Sequence, residues 1–368
     1  MRTFTAVAIA ILVVAGALAG CAAKAPPKLV PPLAPNMPNL TGLRMIDAKV
    51  GWATGGLSVL RTDDGWASWA EVTPGRSGSG AAQPPITASY FLDATHAWVA
   101  TGGEGGPVVI HRTADGGKTW SEAKDKLGGV GLQMSFADAA TGFALVHLGA
   151  AAGSEEVAVM ATTDGGKTWK VRFQTDPQGG GNGLPFGGGK SGLTFGDITH
   201  GWVTGQQPVE GRAYLYATSD GGVTWRLFDL RLPPAYARSF VMTRPPVFFS
   251  ADEGLLPVTF GEQGQPTVFY ATHDGGRTWA PGAPVSSPTN ASITWNFFDL
   301  KHGFATDGGK LYATPDGGVS WRDVKPDGNF VGVRQVEFVS AQVGWAFGDG
   351  VLIKTTDGGK TWAPATTR

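Results

Sequence analysis

The chain consists of short runs of alternating apolar and polar residues, separated by turns rich in glycine, aspartate and threonine. Such runs lie at 57–60 and 351–353. Alternation with a period of two predicts short β-strands. Beyond the first 39 residues no stretch keeps a sustained helical period, so the pattern predicts an all-β protein.

An eight-residue turn motif, [ST]-x-D-x-G-x-[TS]-W, recurs along the chain. Its third position is an aspartate in seven copies: Asp64, Asp115, Asp164, Asp220, Asp274, Asp316 and Asp357. Its last position is a tryptophan: Trp69, Trp120, Trp169, Trp225, Trp279, Trp321 and Trp362. The first copy has Trp66 where the others have glycine, and we expect this tryptophan to be cheaper to remove than a motif tryptophan.

A second motif, [FM]-x-[DS]-x-x-x-[GA]-[WFL], precedes every copy of the first. It covers 45–52, 91–98, 136–143, 195–202, 248–255, 297–304 and 338–345. Two seven-fold motifs in strict alternation divide the chain into repeats of 41 to 56 residues, a period typical of propeller blades. The sequence therefore predicts a seven-bladed β-propeller of four-stranded antiparallel blades over 40–368.

The tryptophan-ended motif has the chemistry of a self-locking hairpin turn. Its aspartate can accept hydrogen bonds from the turn's own amides, and its glycines can adopt positive φ. The tryptophan can bury a large ring between sheets. Calcium binding or catalysis by these aspartates is the less favoured interpretation, because every repeat would then need its own site.

The N-terminus is predicted to be a targeting signal rather than part of the folded domain. Residues 1–20 have a cation at Arg2, an apolar stretch and small residues, the layout of a secretory signal peptide. Leu18 to Cys21 resembles a bacterial lipobox, which implies acylation of Cys21. The alternative is an ordinary signal peptide followed by a chance cysteine. We expect an exported protein, lipid-anchored to the outer side of a bacterial membrane, with residues 21–39 as a proline-rich tether.

The charge and the cysteine content of the chain exclude several classes of function and of binding site. The chain has 29 basic and 30 acidic side chains, so it lacks the electrostatic footprint of a nucleic-acid-binding protein. A single cysteine rules out an intrachain disulfide framework and zinc sites built from several thiolates. His96, His200 and His302 occupy one equivalent turn position in three repeats, so we expect no metal site. No cofactor and no catalytic residue are predicted.

These motifs resemble the bacterial neuraminidase repeat, or Asp-box. Sialidases, some xyloglucan-degrading enzymes, sortilin-type receptors and the photosystem II stability and assembly factor family carry such repeats. The combination of both motifs, seven times after a lipidated or translocated N-terminus, resembles the last family most. That resemblance implies a non-enzymatic propeller that holds a membrane-protein assembly intermediate through its surface.

A glycan-active or glycan-binding propeller is the alternative function. A sialidase needs a tyrosine nucleophile with a glutamate partner, and three arginines that grip a carboxylate. Tyr236 is the best tyrosine outside the repeats, with Arg231, Arg238 and Arg244 nearby. However, no glutamate lies near it in the sequence, and the Arg-Ile-Pro segment typical of sialidases is missing. A purely structural envelope protein is a third possibility.

Loop lengths predict the binding face. If A to D are the strands of a blade, the two motifs of fixed length form the A–B and C–D turns on one face. All variation in length then falls on the B–C and D–A connections of the other face, where recognition usually resides. On this face we predict a protein-binding segment containing Arg231, Tyr236, Arg238, Phe240 and Arg244.

The same variable face has other residues outside the repeats. They are Arg76, Lys124, Lys126, the glycine-rich segment Gln178–Lys190 and Trp295. We interpret the glycine-rich segment as flexible rather than nucleotide-binding, and the plain alternative for the whole face is a set of solubilising loops. We expect a monomer whose partner is a protein at or near the membrane.

Overall fold

A computed structural model describes the chain from residue 37 onward. The described residues are 37–75, 84–103, 107–123, 127–176, 183–261, 266–287, 292–327, 330, 332–348 and 350–365. The predicted signal peptide, Cys21 and most of the predicted tether lie outside them.

The described residues form seven antiparallel units of strands A, B, C and D. Blade 1 contains β1 (Gly42–Met45), β2 (Gly51–Gly55), β3 (Ser58–Thr62) and β4 (Ala70–Glu71). Blade 2 contains β5 (Ile86–Phe91), β6 (Ala97–Thr101), β7 (Val109–Thr113) and β8 (Ser121–Glu122). Blade 3 contains β9 (Gly131–Phe136), β10 (Gly142–Ala151), β11 (Ser154–Thr162) and β12 (Lys170–Gln174). Blade 4 contains β13 (Gly189–Phe195), β14 (Gly201–Gln206), β15 (Tyr214–Thr218) and β16 (Arg226–Leu227).

The last three blades follow the same order. Blade 5 contains β17 (Val241–Thr243), β18 (Val247–Phe248), β19 (Gly254–Phe260), β20 (Thr267–Thr272) and β21 (Ala280–Val285). Blade 6 contains β22 (Thr294–Phe297), β23 (Gly303–Thr306), β24 (Leu311–Thr314) and β25 (Arg322–Asp323). Blade 7 contains β26 (Val333–Phe338), β27 (Gly344–Gly348), β28 (Val351–Thr355) and β29 (Ala363–Pro364). The predicted seven-bladed propeller is confirmed.

Blades 4 and 5 are linked more closely than the others. Strand A of blade 5 is split into β17 and β18 around Pro245 and Pro246, which have no N–H to donate to a ladder. β17 also pairs with β14 of blade 4 at Gln206 and Met242. The two blades therefore share one continuous hydrogen-bonded sheet.

The Asp-box turns are locked as predicted. In blade 3, Thr162 Oγ1 donates to Asp164 Oδ1 (2.8 Å), and Thr168 Oγ1 donates to Asp164 Oδ2 (2.7 Å). The Gly166 amide donates to Thr162 Oγ1 (2.9 Å), and Gly166 has a φ of 82°. Equivalent bonds recur in all seven boxes. Each box thus fixes the angle at which strand D leaves strand C.

Aromatic rings from both motifs pack together across the blade interfaces. The strand B ring of one blade stacks on the strand A phenylalanine of the next, as in Trp98 and Phe136 (centroids 3.5 Å apart) or Phe143 and Phe195 (3.4 Å). The box tryptophan of the second blade meets that phenylalanine edge-on, as Trp169 does Phe136 at 6.0 Å. Ring packing therefore explains why both motifs contain aromatic residues.

The interface that closes the ring is built differently. Blade 1 has Met45 where most blades have a strand A phenylalanine, and Trp66 where the other boxes have glycine. Trp66 has 0% exposure, and its Nε1 donates to Met45 Sδ at 3.0 Å. A thioether is narrower than a benzyl ring, so we infer that the indole fills the space released by this exchange. Our expectation that Trp66 is cheap to remove is therefore wrong, because the ring is buried in the core between blades 7 and 1.

Side chains rather than an exchanged strand close the ring. Blades 1 and 7 each take their four strands from a consecutive stretch of chain. Gln335 of blade 7 accepts a bond from the Leu43 amide (3.4 Å) and donates to the Leu43 carbonyl (2.7 Å). Trp345 Nε1 donates to the Gly65 carbonyl at 3.1 Å.

We predict energetic coupling between Met45 and Trp66. Trp66→Gly relieves the positive φ of 71° but removes a buried ring, and should cost about 3 to 5 kcal/mol. Met45→Phe alone should cost about 1 to 3 kcal/mol through overpacking. The double variant recreates the interface of the other blades and should be more stable than the sum of the single effects by about 0.5 to 3 kcal/mol. Denaturant midpoints measure all three, and strictly additive losses would contradict the exchange.

The lowered pKa values of the Asp-box carboxyls predict that the folded protein loses stability in acid. The Thr119 hydroxyl and amide both donate to Asp115 and lower the pKa of its carboxyl to about 2, and the carboxyls of Asp274 and Asp357 behave alike. A pKa lowered by folding means that the folded state binds fewer protons. The free energy of unfolding should therefore fall as the pH falls from about 4 towards about 2. Chemical denaturation over this range tests it, and Asp115→Asn should show a weaker pH dependence than the parent.

Candidate functional site

The predicted division into a constant and a variable face is reproduced by the strand bounds. Five residues separate strands A and B in all seven blades, and seven residues separate strands C and D. The D–A connections differ, with the short 123–130 and the long 72–85 as extremes. We call the side with the A–B and C–D turns the constant face, and the other the variable face.

Most of the predicted binding segment lies in the D–A connection from blade 4 to blade 5, and its last residue, Arg244, directly follows β17 of blade 5. Its backbone is tied down along its length, because Tyr270 Oη donates to the Arg231 carbonyl (3.3 Å) and the Gly261 amide donates to the Phe240 carbonyl (2.9 Å). The Arg244 amide donates to the Pro257 carbonyl at 3.0 Å. We call Arg231–Arg244 the arginine segment; it is a fixed surface feature of the variable face.

Cationic and aromatic side chains of the arginine segment have different surroundings. Arg231, Arg238 and Arg244 are exposed. Tyr236 is half-buried, and its ring stacks on Phe260 with 4.5 Å between centroids. Phe240 is also half-buried. The arginines can therefore meet a partner directly, whereas Tyr236 anchors the segment to the core.

The end of the glycine-rich segment is held in place, contrary to the predicted flexibility. Residues 177–182 lie outside the described residues. Lys190 is buried, and its Nζ donates to the carbonyls of Glu155 (2.9 Å), Phe186 (3.1 Å) and Gly188 (3.0 Å). The burial lowers the pKa of Lys190 to about 8, against the opposing charge of Glu155. This ammonium group fastens the described part of the segment to the β10–β11 hairpin.

Glu155 links this lysine to a histidine. One carboxylate oxygen accepts the Lys190 amide (2.6 Å), and the other lies 2.6 Å from His147 Nδ1. The cluster of Lys190, Glu155 and His147 is absorbed in local hydrogen bonding between blades 3 and 4. We therefore interpret this cluster as a structural junction of the variable face.

The remaining residues singled out on the variable face add little to a site. Trp295 packs edge-on against Phe269, with 5.5 Å between centroids, and belongs to the packing of blades 5 and 6. Arg76, Lys124 and Lys126 lie outside the described residues.

A cavity of about 660 Å³ lies in the central channel, and neither repeat motif predicts it. Its walls come from the strand A residues of blades 1 to 5 and the first residues of several A–B turns. The residue one position before the strand A motif, which we call the channel position, is Arg44, Tyr90, Ser135, Thr194, Val247, Asn296 or Glu337 in blades 1 to 7, and the first five of these residues line the cavity. Six of these seven residues are polar, but they lie outside both repeat motifs, because the strand A motif begins one residue later.

Several channel side chains bind the inner edge of the next blade. The Phe195 amide donates to Ser135 Oγ (3.2 Å), and the Phe338 amide donates to Asn296 Oδ1 (2.8 Å). Tyr90 Oη donates to the Phe136 carbonyl at 3.0 Å. These bonds satisfy main-chain groups that a propeller leaves unpaired on its innermost strands.

Arg44 and Glu337 form an ion pair across the closing interface. Arg44 Nη1 lies 3.1 Å from Glu337 Oε1, which also accepts the Met45 amide at 3.3 Å. Asn296 Nδ2 donates to Glu337 Oε2 at 3.1 Å. Burial raises the pKa of Glu337, and the Arg44 charge opposes this shift. The glutamate is enclosed, whereas the Arg44 side chain is 54% exposed in the channel.

Each of the three turn histidines pairs with an aspartate of its own A–B turn. His96 Nδ1 lies 2.9 Å from Asp93 Oδ2, and His200 and His302 pair with Asp197 and Asp299 at the same distance. Among the described residues no three His, Cys, Asp or Glu side chains come together as a metal site. Within the same part of the chain, helices with the length and apolar character to span a membrane are absent.

A family model matches the middle part of the chain. The family described as photosynthesis system II assembly factor YCF48 matches residues 184–334. A search of curated proteins finds no match. Together with the structural likeness below, the family match confirms the resemblance predicted from the repeats.

Solved structures share the fold at low sequence identity. The structure of YCF48 bound to D1 peptide is 16% identical, covers 91% of this chain and 98% of its own, and superposes with a TM-score of 0.58. A GH74 enzyme from Niastella koreensis is 14% identical over 88% of this chain and 53% of its own, with a TM-score of 0.59. The GH74 xyloglucanase from Xanthomonas campestris is 13% identical over 93% of this chain and 55% of its own, with a TM-score of 0.61. The chain thus spans about half of the length of these enzymes.

Proposed function

We propose that this propeller is a non-catalytic protein-binding scaffold, or an assembly and stability factor, for membrane or envelope proteins. Exposed arginines on a firmly anchored connection of the variable face carry this proposal. Arginine is enriched at the sites that dominate protein interfaces. Because the backbone of the arginine segment is already ordered, binding through it would lose little conformational entropy.

The family match supports the same role. YCF48 is described as an assembly factor, and one of its structures contains a D1 peptide. A likeness of 16% identity establishes the fold alone, so we transfer to this chain only the kind of ligand, a protein segment. The crosslinking experiment described below identifies the partner protein.

A glycan-active propeller is the second candidate, favoured by the likeness to GH74 enzymes. Most glycoside hydrolases use a pair of carboxylates on either side of the scissile bond. None of the described residues lining the central cavity is an aspartate or a glutamate. Release of reducing sugar from xyloglucan by the purified full-length chain would favour this candidate over the scaffold.

We predict that the arginine segment captures the partner. A photo-crosslinking amino acid at Arg238 should trap a specific membrane or envelope protein in intact cells. Replacing Arg231, Arg238 and Arg244 together with alanine should reduce capture by about tenfold or more, since one interface anchor contributes about 1.4 kcal/mol. The free energy of unfolding should change by no more than about 0.5 kcal/mol per site, because the three side chains are exposed.

The matched control uses exposed cations of the constant face. Lys118, Lys167 and Lys360 occupy the variable position of three boxes, and their replacement by alanine should leave capture unchanged. Loss of capture in the lysine variant alone would place the interface on the constant face. Unchanged capture in both variants would mean that the arginine segment only solubilises the protein.

We further propose that Cys21 is acylated and that residues 21–39 tether the propeller outside a bacterial membrane. The lipobox-like residues Leu18 to Cys21 support this anchor. Met37 is buried in the core between blades 7 and 1, so residues 21–36 are left to extend. At about 3.1 Å per residue they reach roughly 50 Å, which suits a partner beyond the lipid headgroups.

We predict that Cys21→Ser releases the protein from the membrane fraction. Two or more acyl chains give stable attachment, and the variant cannot receive them at residue 21. Fractionation, together with the mass of the mature protein, measures the effect. A variant that stays in the membrane with the parent's mass and detergent behaviour would contradict the anchor.

A further inference from the structure

We propose that the central cavity is a second binding site, which takes a carboxylate group of an extended peptide. This inference rests on the proposed role as a protein-binding propeller, and it places a ligand at a different site from the arginine segment. The cavity volume of about 660 Å³ lies within the range of small-ligand pockets.

Blade 5 makes room for this cavity. Strand A of blade 5 contains Pro245 and Pro246, which interrupt the strand, followed by Val247 at the channel position. Valine cannot bind the inner edge of the next blade as Ser135 and Asn296 do. The channel position of blade 5 is therefore apolar, whereas the channel positions of blades 1 to 4 are polar: Arg44, Tyr90, Ser135 and Thr194.

The charge of the cavity points to an anion. Arg44 is the sole charged side chain among the described residues that line it. Glu337 lies behind Arg44, and both of its oxygens are occupied, by Arg44, the Met45 amide and Asn296. A guanidinium group has five N–H donors, and the pair with Glu337 uses one of them. The half-exposed Arg44 can therefore bind a carboxylate while Glu337 holds it in position.

Gln133 adds a group that suits a peptide. Its Oε1 is buried and has no hydrogen-bond partner among the described residues. An unsatisfied buried acceptor is costly, and the amide N–H of a peptide beside the carboxylate would satisfy it. A carboxylate-binding arginine and an amide-binding oxygen thus line one cavity, with Val247 and Phe249 as an apolar surface for side chains.

The same walls suit a sugar less well. Tyr90 is the tyrosine of the lining, and its ring is packed against Phe136 with 5.6 Å between centroids. Its hydroxyl is already bonded to the Phe136 carbonyl. Tyr90 therefore offers neither a free ring face nor a free hydroxyl to a sugar.

The cavity reaches the constant face. Its lining includes Ala137, Gly196 and Phe249, which begin the A–B turns of blades 3, 4 and 5. Arg231 and Arg238 of the arginine segment precede strand A of blade 5 and lie in the D–A connection of the variable face. The two sites can therefore be occupied separately.

Titration calorimetry of the purified full-length chain tests the proposal with three N-acetylated five-residue peptides. One is pentaalanine with a free C-terminal carboxylate, one is its C-terminal amide, and one is the amide with a central aspartate. We expect the free acid to bind at least tenfold more tightly than the alanine amide. The aspartate peptide shows whether a side-chain carboxylate serves as well as a chain end. Equal affinities of all three peptides, or no binding of any, would overturn the proposal.

Two variants locate the bound peptide. Val247→Trp places an indole in the cavity and should abolish binding, whereas Val130→Trp at an exposed position should not change it. Arg44→Gln combined with Glu337→Gln removes both charges without leaving a buried one unpaired, and should weaken free-acid binding to the level of the amide. Full binding by a folded Val247→Trp variant would overturn the proposal, and the acid-to-amide comparison in the parent decides if that variant does not fold.

The experiment separates this proposal from the proposed function. The double variant Arg231→Ala, Arg238→Ala, which leaves Arg244 beside the cavity-lining Pro245 intact, should bind the free-acid peptide as the parent does. If it loses partner capture while the parent binds no peptide, the cavity proposal fails and the scaffold role stands. If an oligogalacturonate binds the parent but not the Val247→Trp variant while the peptides bind neither, the cavity takes a glycan ligand and the peptide proposal fails.

Discussion

Ring packing across the blade interfaces is the interaction on which the rest of the structure depends. A strand B ring, a strand A phenylalanine of the next blade and its box tryptophan meet at one point, as Trp98, Phe136 and Trp169 do. Aromatic side chains bury large apolar areas, but they pack only if the strands that carry them keep a fixed angle. The Asp-box supplies that angle, because its carboxylate and hydroxyl bonds close the turn from within. Fixed turn lengths are therefore a packing requirement.

The interface between blades 7 and 1 departs from the ring packing of the other interfaces. Met45 and Trp66 replace the usual phenylalanine and glycine together, and a buried indole occupies the interface. Glu337 adds a buried carboxylate held by three donors. Its desolvation opposes folding, and its hydrogen bonds offset this cost while fixing how blade 7 meets blade 1. A ring without an exchanged strand thus closes by specific side-chain contacts.

The scaffold separates two kinds of surface. Constant turns occupy one face because the ring packing tolerates no change in them, so differences in loop length fall on the other face. The arginine segment on that variable face is rigid, since Tyr236 and several main-chain bonds hold it to blade 5. The central cavity is instead formed by the innermost strands. A partner could therefore contact the propeller at its rim, in its channel, or at both.

The sequence by itself determined the fold, the number of blades, the constant turns and the structural roles of the box aspartates. It could do so because these features repeat seven times and depend on contacts within a few residues of each turn. Only the tertiary structure decided the burial of Trp66, the fastening of Lys190 and the place of Arg44 in the channel. Each of these depends on residues distant in sequence, such as Glu337 for Arg44, at almost three hundred positions apart. The pattern of residue types along the chain does not show which distant residues come into contact when the ring of blades closes.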